Sequence, residues 1–239
     1  MIVVILQPSY IPWRGYFDQV RRADLFIFYD DVQYDKHGWR NRNQIKTANG
    51  KQWLTIPVHS QGVTAGIPIR EVQIDWRTPW NEKHLKALTS AYSKSPHFKE
   101  YLPMLEQLYG RRDARIADFT IEATVRIARE LGIRETRFMR SSELEGIDGR
   151  RTERLIQILT RVGADHYISG PSARDYIESG LFEGAGIEIE YMDYHYPEYP
   201  QLYPPFDPQV SILDLLFMTG KDALGLIAAQ TGAANETPS

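Results

Sequence analysis

Cysteine is absent from all 239 residues. That excludes disulfides, thiolate metal sites and a cysteine nucleophile, and it fits a reducing compartment. Long apolar runs are absent too. No stretch approaches a membrane span, and the opening run, Ile2 to Leu6, is too short for the core of a signal peptide. A charge excess is also missing. The formal net charge is −3, so no global basic field points to nucleic acid or to a membrane surface. The six histidines show no HxxxH-type spacing, and no metal is expected. Neither a GxSxG nucleophile elbow nor a glycine-rich phosphate loop is present. The expectation is a cytoplasmic protein that works without metal, resident cofactor or covalent serine chemistry.

What the chain does hold is aromatic surface. Fourteen Tyr, five Trp and nine Phe make up 12% of the residues. Such side chains pack cores, and they also stack on bases and sugars. They are dense near the start, in IVVILQPSYIPWRGYFDQVRRADLFIFYDDVQY. An apolar run (Ile2 to Leu6) meets a stiff Pro/aromatic loop, then an amphipathic stretch from Gly15 to Arg22. A second apolar run (Leu25 to Tyr29) ends in Asp30-Asp31. This is strand, loop, helix, strand, and a parallel pair so joined needs a right-handed helical crossover.

The remaining pattern predicts an α/β fold: a Rossmann-like, HUP-like open parallel sheet of about five strands with helices on both faces. One domain is expected over residues 1–228, with a tail over 229–239 lacking structure. A small antiparallel β insertion is expected over about 36–75, with its hairpin turn at Asn49-Gly50 and a third strand over 67–74. A helical segment follows over about 80–131. Trp80, His84, Leu88 and Tyr92 recur every four residues there, and Gly132 closes the last helix. Further strands are expected over 136–140, 166–168 and 187–192. Helices are expected over 153–162 behind Thr152, over 172–178, and over 210–218 between Ser211 and Gly220.

In open α/β sheets ligands bind beyond the carboxyl ends of the strands. Five polar clusters fall at such ends, and together they predict one cleft. Gln7, Tyr10, Trp13 and Arg14 lie in the first, and Asp30, Asp31, Gln33, Tyr34 and Lys36 in the second. Ser141 and Ser142 form the third, Ser169, Gly170, Ser172 and Arg174 the fourth, and Asp193 to His195 the fifth. The basic stretch Trp39, Arg40, Asn41, Arg42 and Lys46 adds cations interleaved with aromatic and amide groups. Arginine pairs bidentately with phosphate, and Trp stacks on a base or sugar. His84 and Asp30 are the candidate bases.

The motifs QPSYIPWRGYFD, DDVQY with WRNRNQIKT, KQWLTIPV, WNEKHLKAL with AYSKSPHFKEY, SSEL, TERLIQI, GADHYISGPSARDYI, YPEYPQ and SILDLLFMTG resemble, in order, those of the WbqC-like family. The resemblance spans residues 2 to 220. It implies a role in O-antigen or other surface-polysaccharide synthesis, with a glycine-type aminoacyl transfer to an amino sugar. One departure stands out: many members open with His-Gln-Pro, whereas Leu6 precedes Gln7-Pro8 here. The substrates expected are a nucleotide-activated amino sugar and an activated acyl donor such as a thioester. An acyl carrier protein or another pathway enzyme is the expected protein partner. Two other readings stay open, nucleotidyl transfer or adenylate formation on a HUP-like fold, and a non-catalytic assembly protein of a glycan pathway.

Overall fold

The computed structural model describes residues 1–36, 38–59, 66–175 and 177–229. Its centre is a five-stranded sheet of β1 (Ile2–Leu6), β2 (Leu25–Phe28), β5 (Arg137–Arg140), β6 (His166–Ser169) and β7 (Glu188–Tyr191). The strand order is β5-β2-β1-β6-β7 and every pairing is parallel. The fold is thus Rossmann-like α/β.

Alternation along the strands explains why both faces are covered. Val4, Phe26, Phe28 and Ile168 enter one buried cluster. It is completed by residues of α1 (Arg14–Arg22), α4 (Ile116–Glu130), α7 (Ile212–Thr219) and α8 (Ala223–Ala228). Their neighbours Val3, Ile5, Leu25, Ile27 and Tyr167 enter a second cluster with α5 (Arg151–Val162) and α6 (Ser179–Gly184). Side chains one residue apart on a strand point to opposite faces, so near-continuous apolar strands need helices on both.

Between β2 and β5 the chain makes the antiparallel hairpin β3 (Arg42–Thr47) and β4 (Gly50–Thr55). It then builds α2 (Trp80–Tyr92) and α3 (Phe98–Tyr109) ahead of α4. The hairpin turn is Ala48-Asn49, one residue earlier than expected, because Thr47 pairs with Gly50. Gly50 still supplies the positive φ, +96°.

Three expected elements differ. Residues 67–74 are not a strand. They form a 3₁₀ turn, Ile69–Glu71, flanked by isolated bridges Gln33–Pro68, Val58–Ile74 and Gln73–Arg115. Their alternating pattern reflects one buried side held by several separate elements. The helix expected over 172–178 is a 3₁₀ turn, Pro171–Asp175, with α6 following it. Thr152 is not the cap of α5, which begins at Arg151. Ser211 does cap α7, its Oγ accepting from Leu213 N–H at 3.3 Å. Residues 60–65 of the expected β insertion lie outside the described residues, as do His37 and the tail from 230. Among the described residues, no helix is long and apolar enough to cross a membrane.

Candidate functional site

The loop after β1 is held in a costly shape. Ile11 has φ +36°, a left-handed conformation that a β-branched residue rarely adopts. Buried Asn43 of β3 fixes it: Nδ2 donates to the Tyr10 and Ile11 carbonyls at 3.0 and 2.9 Å. Tyr10 N–H donates to the Trp39 carbonyl, and Ile212 N–H to the Pro12 carbonyl. Loop, hairpin insertion and α7 are thereby locked together. Strain of this kind persists only where surroundings over-determine it, and it concentrates at ligand sites.

Between loop and insertion lies a pocket of about 370 Å³. Trp13, Tyr16, Trp39 and Pro12 wall it, and Arg40, Ser9, Asn43 and Gln209 supply polar groups. Trp39 is 47% exposed and Trp53 43%, and their rings lie 5.4 Å apart. The Arg42 guanidinium sits 4.7 Å from the Trp53 ring. Arg40 adds a charged group to this wall. Its Nε is shut off from solvent with no hydrogen-bond partner among the described residues, and burial lowers its pKa. An unpaired buried guanidinium N–H is costly unless a ligand acceptor meets it. Trp13 is wedged by Gly15, where any Cβ would fall 2.3 Å from the indole, and it packs edge-on to Tyr194 at 4.9 Å.

A second cavity, about 610 Å³, opens past β2 and β5. Asp30 and Ser142 line it with Arg70, Glu71, Gln73, Arg115 and Arg140. The Asp30 carboxylate has no exposed surface. Its Oδ1 accepts from Ser142 N–H at 3.1 Å and its Oδ2 from Ser142 Oγ–H at 2.9 Å. Burial, the largest influence, raises its pKa above the ordinary carboxylate value against these hydrogen bonds. Ser141 Oγ–H donates to Asp31 at 2.6 Å, and Arg154 donates to the other Asp31 oxygen at 2.7 Å.

The expected clusters therefore do not meet in one cleft. Trp13, Trp39 and Arg40 share the aromatic pocket, and Asp30 and Ser142 share the arginine cavity. The stretch from Asp30 to Lys36 leaves the arginine cavity, and Arg40 lines the aromatic pocket. Gln33 and Lys36 are exposed on that stretch, while Tyr34 is buried with its pKa pushed up to about 12, chiefly by burial. Gln7 does not line the pocket; its carbonyl accepts from the Tyr16 hydroxyl. Asn41 is buried, donating to the Ile56 carbonyl. Ser169 ends β6, with Gly170, Ser172 and Arg174 following it; all four line neither cavity, and Arg174 lies over the Tyr191 ring.

Four candidates turn inward. Arg14 donates to the Pro197 carbonyl at 2.7 Å beneath the Tyr196 ring, anchoring the Tyr/Pro strap over 194–206. Lys46 Nζ donates to Gln201 Oε1 at 2.6 Å and to the Pro205 carbonyl. Tyr10 is fully buried, its hydroxyl 2.8 Å from His84 Nδ1 and 2.5 Å from the Tyr109 hydroxyl. His84, 6% exposed, lines neither cavity. Their polarity meets internal partners, which sequence spacing does not reveal. Sequence reasoning missed Tyr16, Asn43 and Gln209 in one cavity and Arg70, Gln73, Arg115 and Arg140 in the other. Arg140 alone left a sign, as the last strand residue before Ser141-Ser142.

Burial pulls the His84 pKa down to about 4, outweighing a hydrogen bond to the Thr55 backbone. Its folded value lies below the unfolded value of about 6.5, so the unfolded chain binds the proton more tightly. The stability it supports is full above pH 6.5 and is lost as pH falls toward 4. The expected loss is about 3 kcal/mol. Urea unfolding of wild type and His84→Gln across that window checks it. A variant with the same pH slope as wild type would refute the buried neutral imidazole.

Fold and geometry define a Rossmann-like α/β protein with a strained, aromatic-walled loop and two cavities past the carboxyl ends of its first strands. Residues 7–225 match the WbqC-like protein family, and the chain belongs to it. It is also similar to the uncharacterized protein Rv1507c of Mycobacterium tuberculosis (strain ATCC 25618 / H37Rv). The two are 43% identical over 223 residues, covering 92% of this chain and 95% of that one. No solved structure matches the chain. Among the described residues, no group of three or more His, Asp or Glu could hold a metal ion.

Proposed function

We propose that the protein is an acyl or aminoacyl transferase of the glycine type. It forms an amide on a nucleotide-activated amino sugar for surface polysaccharide such as O-antigen. The aromatic pocket carries the proposal: rigid Trp and Tyr rings suit a base or sugar ring, and the orphaned Arg40 Nε–H suits an anionic oxygen. Membership of the family supports the glycan setting. The amine nitrogen attacks the acyl carbonyl of a thioester-type donor. A C–N bond forms, the C–S bond breaks and the thiolate leaves. The surplus amine proton passes to the Ser142 hydroxyl as that hydroxyl yields its own to Asp30, and it then returns to the thiolate. Arg40 and Arg42 face the sugar's diphosphate, while Lys46, bound internally, takes no part. A cytoplasmic site of action goes with a nucleotide-sugar substrate. The strand order favours a second reading, nucleotidyl transfer. That reading requires ATP/pyrophosphate exchange.

Calorimetric titration with UDP- and dTDP-linked amino sugars tests the substrate class. Trp39→Ala removes an exposed ring, which spares the fold. One stacking contact is worth about 1–3 kcal/mol, so affinity is expected to fall about 5- to 150-fold. No binding to any such sugar by wild type would end the proposal.

A further inference from the structure

The arginine cavity holds more cation than its own residues neutralise. Arg140 is fixed by Asp118, Nη2 to Oδ1 at 2.8 Å, with Nη1 3.8 Å from Asp30 Oδ2. Arg70 reaches Glu71 only at 3.8 Å, and both side chains are over 40% exposed. An exposed pair of that length contributes little. The exposed Arg115 side chain makes no hydrogen bond or ion pair with any described residue. Asp30, the one fully buried carboxylate there, is engaged by Ser142.

Three further observations agree. Arg115 is the N-cap of the fifteen-residue α4 and gives it no side-chain cap, so the helix end adds positive potential. The lining is polar throughout, with the Gln73 amide as an additional donor. The arginines come from three separate segments: the 3₁₀ turn at 69–71, the start of α4 and the end of β5. Tertiary structure alone brings them together, and guanidinium groups converging from several directions suit a tetrahedral oxyanion.

We infer that this cavity is a phosphate-binding site separate from the aromatic pocket, and that it takes the phosphate groups of the second substrate, the activated acyl donor. Group transfer needs two substrates side by side. Asp30 and Ser142 line the arginine cavity, and Arg40, ten residues after Asp30 in sequence, lines the aromatic pocket. The inference deepens the transferase proposal by giving the donor a site, and it rests on that proposal for the donor's identity. Phosphate recognition itself does not depend on any sugar.

Inorganic pyrophosphate is the probe, titrated calorimetrically into the full chain at about 0.15 M salt. Saturable binding is expected, weakened at least tenfold in Arg70→Ala/Arg115→Ala. Both side chains are exposed, so folding should survive, and circular dichroism with a thermal melt checks this. Gln73→Glu, which adds a negative charge to the cavity, should weaken binding in the same direction by an independent change. Coenzyme A should displace pyrophosphate, whereas a UDP-amino sugar should bind alongside it and keep its affinity in the double variant. Three outcomes would overturn the inference: no saturable pyrophosphate binding, binding indifferent to both variants, or pyrophosphate displaced by the UDP-sugar with both ligands weakened by the double variant. The last would make the cavity the diphosphate end of the sugar site. Loss of sugar binding in Trp39→Ala with pyrophosphate binding intact separates a failure here from a failure of the sugar proposal.

Discussion

Asp30→Asn is expected to lower turnover about 10²- to 10⁴-fold while leaving nucleotide-sugar affinity unchanged, the range typical of losing a general base. Geometry makes this substitution informative. The carboxamide oxygen it introduces can still accept from Ser142 N–H, as Asp30 Oδ1 does at 3.1 Å, so the loop past β5 keeps its support. What disappears is a proton acceptor behind the Ser142 hydroxyl. Burial raises the Asp30 pKa, so the acid limb of the wild-type kcat profile should lie above the ordinary carboxylate range of about 4. A base acts deprotonated, so activity rises with pH through that value. In Asp30→Asn this limb should vanish. A purely structural Asp30 would change the melting temperature and leave the shape of the profile untouched. Unchanged turnover in a folded variant would remove Asp30 and its Ser142 relay from the proposed chemistry.

The parallel sheet was legible because each strand is an apolar run ending in polar residues, a local pattern. Ser211 and Gly220 were legible as the ends of α7 for the same reason: caps are local chemistry. Residues 67–74 misled because alternation records which side chains are buried and says nothing of what covers them. There the cover comes from three separate bridges, not from one neighbouring strand.

The candidate site was legible in part. Trp13, Trp39 and Arg40 announce themselves as aromatic and basic groups in a polar loop. Tyr10 and His84 carry the same kind of local signal, yet the Tyr10 hydroxyl meets both His84 and Tyr109, the latter on a helix about a hundred residues downstream. Arg70 and Arg115 carry no local mark, since only the folding of the insertion against α4 places them beside Asp30. Asn43 looks like one more polar hairpin residue, and its function as a clamp depends on a strained Ile11 that no spacing rule predicts.

Asp214→Ala is expected to cost the fold at least about 3 kcal/mol, a large share of the 5–15 kcal/mol typical of a native domain. Asp214 is 1% exposed on α7. Its Oδ1 accepts from the Tyr199 hydroxyl at 2.8 Å and from Gln201 Nε2 at 2.9 Å. Its Oδ2 accepts from the Tyr92 hydroxyl at 2.9 Å. Truncation leaves these buried donors short of an acceptor, each at a cost of about 1–3 kcal/mol. Gln201 retains weaker bonds to the Tyr199 hydroxyl and the Asp207 carbonyl, which holds the loss toward the lower end. Asp214→Asn should be milder, since its carbonyl keeps the two Oδ1 contacts. Burial raises the Asp214 pKa above its unfolded value, so its stabilising share is full at low pH and is lost as pH rises through the folded value. Asn removes that dependence, and urea unfolding of the three proteins at several pH values reads both effects. The consequence reaches the ligand pocket. Tyr199 and Gln201 lie on the strap that Arg14 anchors, and the same helix pins Pro12 through Ile212 N–H. Asp214→Ala should therefore loosen the loop carrying Trp13 and weaken sugar binding without touching a residue that lines the pocket. A variant within about 1 kcal/mol of wild type, close to the worth of one ordinary hydrogen bond, would show that the hub is dispensable.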